Sequence, residues 1–251
     1  MTEINLFPKF VDEAASPVAK RIGSTLSSVW DIVFGGVDSY AERKDYIRVQ
    51  KLDNFKQELD EKVNNIPPEN LTEPKLHILG PTIEASKYYF ENDELRQMFS
   101  NLVASSLNIK TAKDTHPSFV EIIKQLSPLD AMNLKVISQV DKCPIVEYKI
   151  KLTEEKGEVT LFTNVFLENK QVNDTSLNAT SLDNLYRLGV IKIDFTRYLT
   201  NHEVYNKFKL TPEYKYCEDI VLKDNSYNKV DIQKGILDIT PFGSSFIKIC
   251  L

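Results

Sequence analysis

The chain has 251 residues, 42% of them hydrophobic and 27% charged, which places it among ordinary globular proteins and excludes disordered and collagen-like compositions. A formal charge of -5 excludes a wholesale basic surface of the kind that non-specific nucleic-acid binders carry. Three widely spaced cysteines, Cys143, Cys217 and Cys250, fit reduced thiols better than a disulfide framework, and they form no CxxC metal knuckle.

The first residues, MTEINLFPKFVDEAASP, carry Glu3, Lys9, Asp12 and Glu13 where a secretory signal needs a basic head and an apolar run, so a cytoplasmic protein is expected. The sequons at Asn70, Asn173 and Asn178 are then chance matches. From Val18 the apolar positions Ile22, Leu26, Val29, Trp30, Val33, Val37 and Tyr40 recur in steps of three and four, the pattern of an amphipathic helix over residues 16–40. Gly35 and Gly36 interrupt it as a candidate hinge, since two adjacent glycines lower helix propensity by about 2 kcal/mol. The run resumes through Ile47, Leu52, Phe55, Leu59 and Val63 until Pro67 and Pro68 end it. Lys20, Arg21, Asp31 and Asp38 cut the stretch too finely for a spanning helix of ~20 apolar residues. Packing of the stripe on the body is the expectation, and an interfacial helix that lies on a membrane or docks on a partner is the alternative.

Residues 67–127 read as a helical middle region. Gly80 and Pro81 break one segment, and Asn92 caps the next, DELRQMFSNLVASSLN, whose Asp93 and Glu94 suit the positive end of a helix dipole. Thr115 or His116 starts another helix with Pro117 near its first position, and Ser127 with Pro128 starts the one after.

Beyond Asp141 the texture turns to strands: CPIVEYKIKL and EVTLFTNVF are rich in β-branched and aromatic residues. Thr180 or Ser181 is expected to cap a short helix buried through Leu182, Leu185 and Leu188 and closed by Gly189. A strand follows, then two strands turning at Lys234 and Gly235, then a helix from about Pro241. Helix, strand, helix and hairpin together describe a winged-helix-like module over 128–251, with a polar insertion near 196–229. Its core should join Leu182, Leu185, Leu188, Ile191, Ile236, Ile239 and Phe246. The expected fold class is therefore α+β and mainly helical, in three regions: 1–66, 67–127 and 128–251.

Chemistry-bearing patterns are sparse. His202 and Glu203 begin like a zinc-protease helix, but Asn206 stands where the second histidine belongs. His77 and His116 have no ligand partners at metal spacing, Gly243 and Ser244 do not make a nucleophile elbow, and no phosphate-cradling glycine loop is present. No catalytic, cofactor-binding or metal-binding residue is assigned. A recognition helix with Arg187 against Asp183, in a module whose acidic and basic residues nearly cancel, is not expected to bind DNA specifically.

At HPSFVEIIKQLSPLDAMNL (116–134), with LRQMFSNLVASSLN before it and SLDNLYRLGVI and ILDITPFGSSFIKIC after it, the chain resembles the Abi-alpha family, bacterial proteins associated with abortive infection against phages. The motif residues are His116, Pro117, Ser118, Phe119, Gln125, Leu126, Ser127 and Pro128. The resemblance implies a role in phage resistance and brings no catalytic residues. The expected function is non-enzymatic phage defence through contact with a phage or host protein. A membrane-perturbing effector using residues 16–40, peripheral to the membrane on activation, is the first alternative, and a DNA-binding regulator the second.

Overall fold

The computed structural model describes residues 17–41, 46–153 and 157–251. The fold is α+β, and the chain divides into two compact units. The described residues up to Pro128 form a helical unit together with Ser245–Leu251, and Leu129–Ser244 form a unit built around a sheet.

The helical unit contains α1 (Pro17–Ala41), α2 (Tyr46–Asn64), α3 (Leu76–Ser86), α4 (Asp93–Leu107) and α5 (Ser118–Gln125). The amphipathic pattern of the first stretch does produce α1, and its apolar face is buried: Ile22, Leu26 and Phe34 are inaccessible and Trp30 is nearly so. They pack on Leu52, Phe55, Leu59 and Val63 of α2, which descend its facing side in steps of three and four. Val29 and Val33 are only partly buried, Phe34 joins the buried stripe, and Ile47, expected in the α2 stripe, is exposed. The expected interruption at Gly35 and Gly36 does not occur, because α1 continues as helix through both to Ala41, and the break expected at Gly80 and Pro81 is absent too, since α3 runs through both. The side chains of Val37 and Tyr40 lie outside the described residues.

Polar bonds tie α2 to α4. Arg96, almost wholly buried, donates from Nε to Glu58 (3.0 Å) and from a terminal nitrogen to Asp93 (2.6 Å) and the Phe90 carbonyl (3.3 Å). Lys51 adds a 2.6 Å bond to Asp93, and these two cations hold the Asp93 carboxyl below its ordinary range. Asn92 caps α4 as expected, its side chain accepting from the Leu95 N–H at 2.9 Å.

In the sheet unit, α6 (Pro128–Ile137) leads to β1 (Lys142–Leu152) and β2 (Glu158–Val165), then α7 (Thr175–Arg187), β3 (Ile191–Asp194), a 3-10 segment (His202–Leu210), α8 (Pro212–Lys223) and β4 (Tyr227–Ile239). The strands form one antiparallel sheet in the order β2-β1-β4-β3. Helix α9 (Pro241–Cys250) begins here and carries the chain into the helical unit.

Four expectations about this unit are corrected. The turn at Lys234 and Gly235 is absent: β4 is one strand paired with β1 from Lys142↔Asp238 to Leu152↔Tyr227. Gly235 serves close approach instead, since a Cβ there would lie 2.5 Å from the ring of Phe195. The terminal hairpin that defined the winged-helix reading is thus replaced by a single strand. Second, α7 begins five residues before Thr180, capped by Asp174, which accepts from the Leu177 N–H at 3.0 Å; Gly189, with φ +71°, closes it as expected. Third, the polar insertion supplies core: Tyr205, Phe208 and Cys217 are buried against Val146, Tyr148 and Ile150 of β1. The Tyr148 hydroxyl donates to the Phe208 carbonyl at 2.6 Å, so the segment is bonded as well as packed. Phe246 belongs to the helical unit, edge-on to Phe119 at 5.4 Å between ring centres, and not to the sheet unit's core.

Candidate functional site

The motif that carries the family resemblance is distributed over two helix starts. His116 is exposed, and its Nδ1 accepts the Ser118 N–H at 3.1 Å, so the imidazole acts as a cap for α5 while Pro117 needs no donor there. Phe119 and Leu126 are buried; Gln125 is exposed and donates to the Glu121 carbonyl at 2.9 Å. Ser127 and Pro128 lie at the surface where α6 begins. The motif therefore arranges backbone and core and brings no reactive groups together. Gly35 and Gly36, the candidate hinge, lie inside α1, far along the chain from it.

Nucleophilic chemistry has poor material among the thiols. All three cysteines are buried and free, and burial pushes Cys143 up to about 12, Cys217 up to about 11, and Cys250 well above its ordinary value. At neutral pH the thiolate is scarce at each. Among the described residues there is no group of three or more His, Cys, Asp or Glu able to hold a metal ion. His202 sits on the surface with its Nδ1 2.9 Å from the Lys234 ammonium and its ring 5.2 Å from that of Tyr198.

The sheet unit holds a buried polar network that the sequence did not disclose. Asn133, wholly buried on α6, donates to Asn178 Oδ1 (3.2 Å) and Ser181 Oγ (3.0 Å) and accepts from Asn169 (2.7 Å). Asn178 in turn donates to the Val172 carbonyl at 3.1 Å, which leaves the sequon at Asn178 inside the fold. Beside the network is a cavity of about 410 Å³ lined by Phe166, Asn169, Thr175, Asn178, Thr211 and Glu213. Thr175 donates to one oxygen of Glu213 at 2.6 Å, bracing the start of α7 against the start of α8, while the other carboxylate oxygen is buried with no hydrogen-bond partner among the described residues. Replacing Asn133 with alanine orphans three polar groups, two on α7 and one in the loop before it, so urea denaturation should show a loss of about 2–4 kcal/mol. A loss under about 0.5 kcal/mol would mean the network is incidental to stability.

A second concavity, of about 380 Å³, lies in the helical unit between α1 and α3. Its walls are Val29, Ile32 and Val33 on one side and Gly80, Glu84 and Tyr88 on the other. Large apolar side chains stand exposed there, Ile32 at 83% and Tyr88 at 78%.

These features define an α+β protein of a helical and a sheet-containing unit. Residues 47–250 match the family Abortive infection alpha, and the chain belongs to that family. Membership points to a role in abortive infection and phage resistance. Among solved structures, the chain is similar to an uncharacterized protein from the hydrocarbon-degrading marine bacterium Alcanivorax borkumensis SK2, at 14% identity over 52% of this chain and 90% of that one, with a TM-score of 0.35. No curated protein matches the chain. No helix among the described residues is long and apolar enough to cross a membrane.

Proposed function

We propose that this chain is a cytoplasmic, non-enzymatic phage-defence protein that acts through contact with a phage or host protein. The family match over residues 47–250 carries the reading, because it extends across both units and so ties the role to the whole body. Three observations support contact over catalysis. The thiols are buried and held protonated; the motif histidine caps a helix; and large apolar side chains are offered to solvent on both units, Ile32 and Tyr88 on one, Leu210 and Leu222 on the other.

The membrane-effector alternative asks Ile22, Leu26 and Trp30 to leave a core in which they are almost wholly buried, giving up roughly 1.5–3 kcal/mol for each large side chain. The DNA alternative asks Arg187 to reach a base or phosphate from a position where it already donates to Asn184 Oδ1 (2.7 Å). Bacteria expressing the chain should show reduced plaque formation by at least one member of a phage panel, and crosslinking during infection should recover a protein partner. Protection should survive His116→Gln and His202→Gln. Loss of protection in either variant, with the protein folded and at normal abundance, would remove the non-enzymatic part of the reading. Crosslinking to lipid or nucleic acid alone would favour one of the alternatives.

A further inference from the structure

We infer that the groove between α1 and α3 is a self-association surface across which two copies of this chain meet about a two-fold axis. An isologous contact needs a patch complementary to itself, with a projection and a recess side by side. Ile32, 83% exposed, is the projection. The recess is at Gly80, where a Cβ would find nothing within 4 Å. Leu76, Gly80, Glu84 and Tyr88 follow one another at four-residue spacing, so they share one outer stripe of α3 and the turn beyond it, and Leu76 at 63% and Tyr88 at 78% extend the apolar patch along it.

The rim charges name the occupant. Glu84 and Lys87 both line the groove, and neither has an ion pair among the described residues. Lys124, a cation on a neighbouring element that feels the Glu84 charge, is itself paired with Glu121 at 2.9 Å. A two-fold axis sets Glu84 of each copy against Lys87 of the other, forming two ion pairs while Ile32 of each copy enters the recess of its partner. An anionic membrane surface would call for a positive rim, and here the two charges cancel. From Leu76 to Tyr88 the stripe spans thirteen residues, about 18 Å at the helical rise. That is short of what a standard interface of ~800 Å² per partner needs, so the dimer is weak and forms with rising concentration.

Sedimentation of the purified full chain over a concentration series tests this, and it requires no phage, so its outcome is independent of the defence role. A reversible monomer–dimer equilibrium is expected. Ile32→Asp should abolish it with circular dichroism and thermal midpoint unchanged, since the position is exposed. Glu84→Lys and Lys87→Glu should each weaken it about tenfold by setting like charges face to face. The double variant should recover it, and an equimolar mixture of the two single variants should recover it as a heterodimer, a pattern only cross-copy pairing produces. A chain that stays monomeric up to its solubility limit overturns the inference. So does a dimer indifferent to Ile32→Asp, or a charge pair that is not rescued by the double swap. Binding to anionic vesicles that is lost in Ile32→Asp, with no dimer, would reassign the groove to membranes.

Discussion

Trp30→Ala should cost the protein about 3–5 kcal/mol in urea or thermal denaturation followed by circular dichroism. The indole is 1% exposed, stacks on Phe34 at 4.3 Å between ring centres and lies 5.4 Å from Phe55, so its removal empties the middle of the contact between α1 and α2. Trp30→Phe should cost markedly less. It keeps an aromatic ring in the stack, and it deletes an indole N–H that is buried without an acceptor among the described residues. As the sole tryptophan, Trp30 also reports its own burial: its fluorescence in the wild-type protein should resist aqueous quenchers. Ready quenching, or an alanine variant within about 1 kcal/mol of wild type, would mean that α1 does not rest on α2 in solution.

Gly243→Ala should be as damaging although it adds only one methyl group. A Cβ at this position would stand 1.9 Å from the Val190 carbonyl oxygen and 2.8 Å from its carbon, and backbone atoms cannot swing aside as a side-chain tip does. The approach is held by Thr240, whose hydroxyl donates to the Gly189 carbonyl at 2.6 Å and accepts the Gly243 N–H at 2.8 Å, and whose own N–H donates to Val190 at 3.1 Å. Overpacking against such a frame costs about 3 kcal/mol or more. Gly80→Ala makes the contrast, since space is open around that residue, and the helix there should tolerate a methyl group far better. Equal effects of the two alanines on the thermal midpoint would contradict this account.

Helix ends set by chemistry within a few residues were legible where one signal acted alone, whereas the α7 start and the breaks expected at Gly35–Gly36 and Gly80–Pro81 were misread. The Asn92 cap, the α6 start at Pro128, the Gly189 stop and the α9 start at Pro241 all needed only local donors, acceptors and backbone freedom. What depended on distant partners was not legible. Ile22, Leu26, Trp30 and Phe34 form one four-residue stripe on α1, and Val29, Val33 and Val37 form the one beside it. Both are apolar, and only the packing partners on α2 and α3 distinguish the buried first stripe from the partly buried Val29 and Val33. Gly235 looks like a turn residue until Phe195 is seen against it. The insertion near 196–229 is polar on average, yet Tyr205, Phe208 and Cys217 cover the sheet. Asn133 offered no signal either: an asparagine between apolar neighbours reads as a surface position unless Asn169, Asn178 and Ser181 are known to converge on it. The resemblance motif was visible by its prolines and histidine, and those same residues prove to be helix starts, so recognising the family did not locate a site.

The helical unit is interrupted in the chain: its first part ends at Pro128, and it takes up Ser245–Leu251 only after the whole sheet unit has intervened. This orders events on the ribosome. At roughly 5–20 residues per second, the 116-residue interval between the two parts takes about 6–23 s to translate. During that time the seats later filled by Phe246 and Ile249, and the side chains of Asn101 and Ser105 that later bond the carbonyls of Cys250 and Ile249, have no partner from α9. The unit begun first is therefore completed last, and a nascent chain stalled before residue 245 exposes an unfinished apolar seat to chaperones.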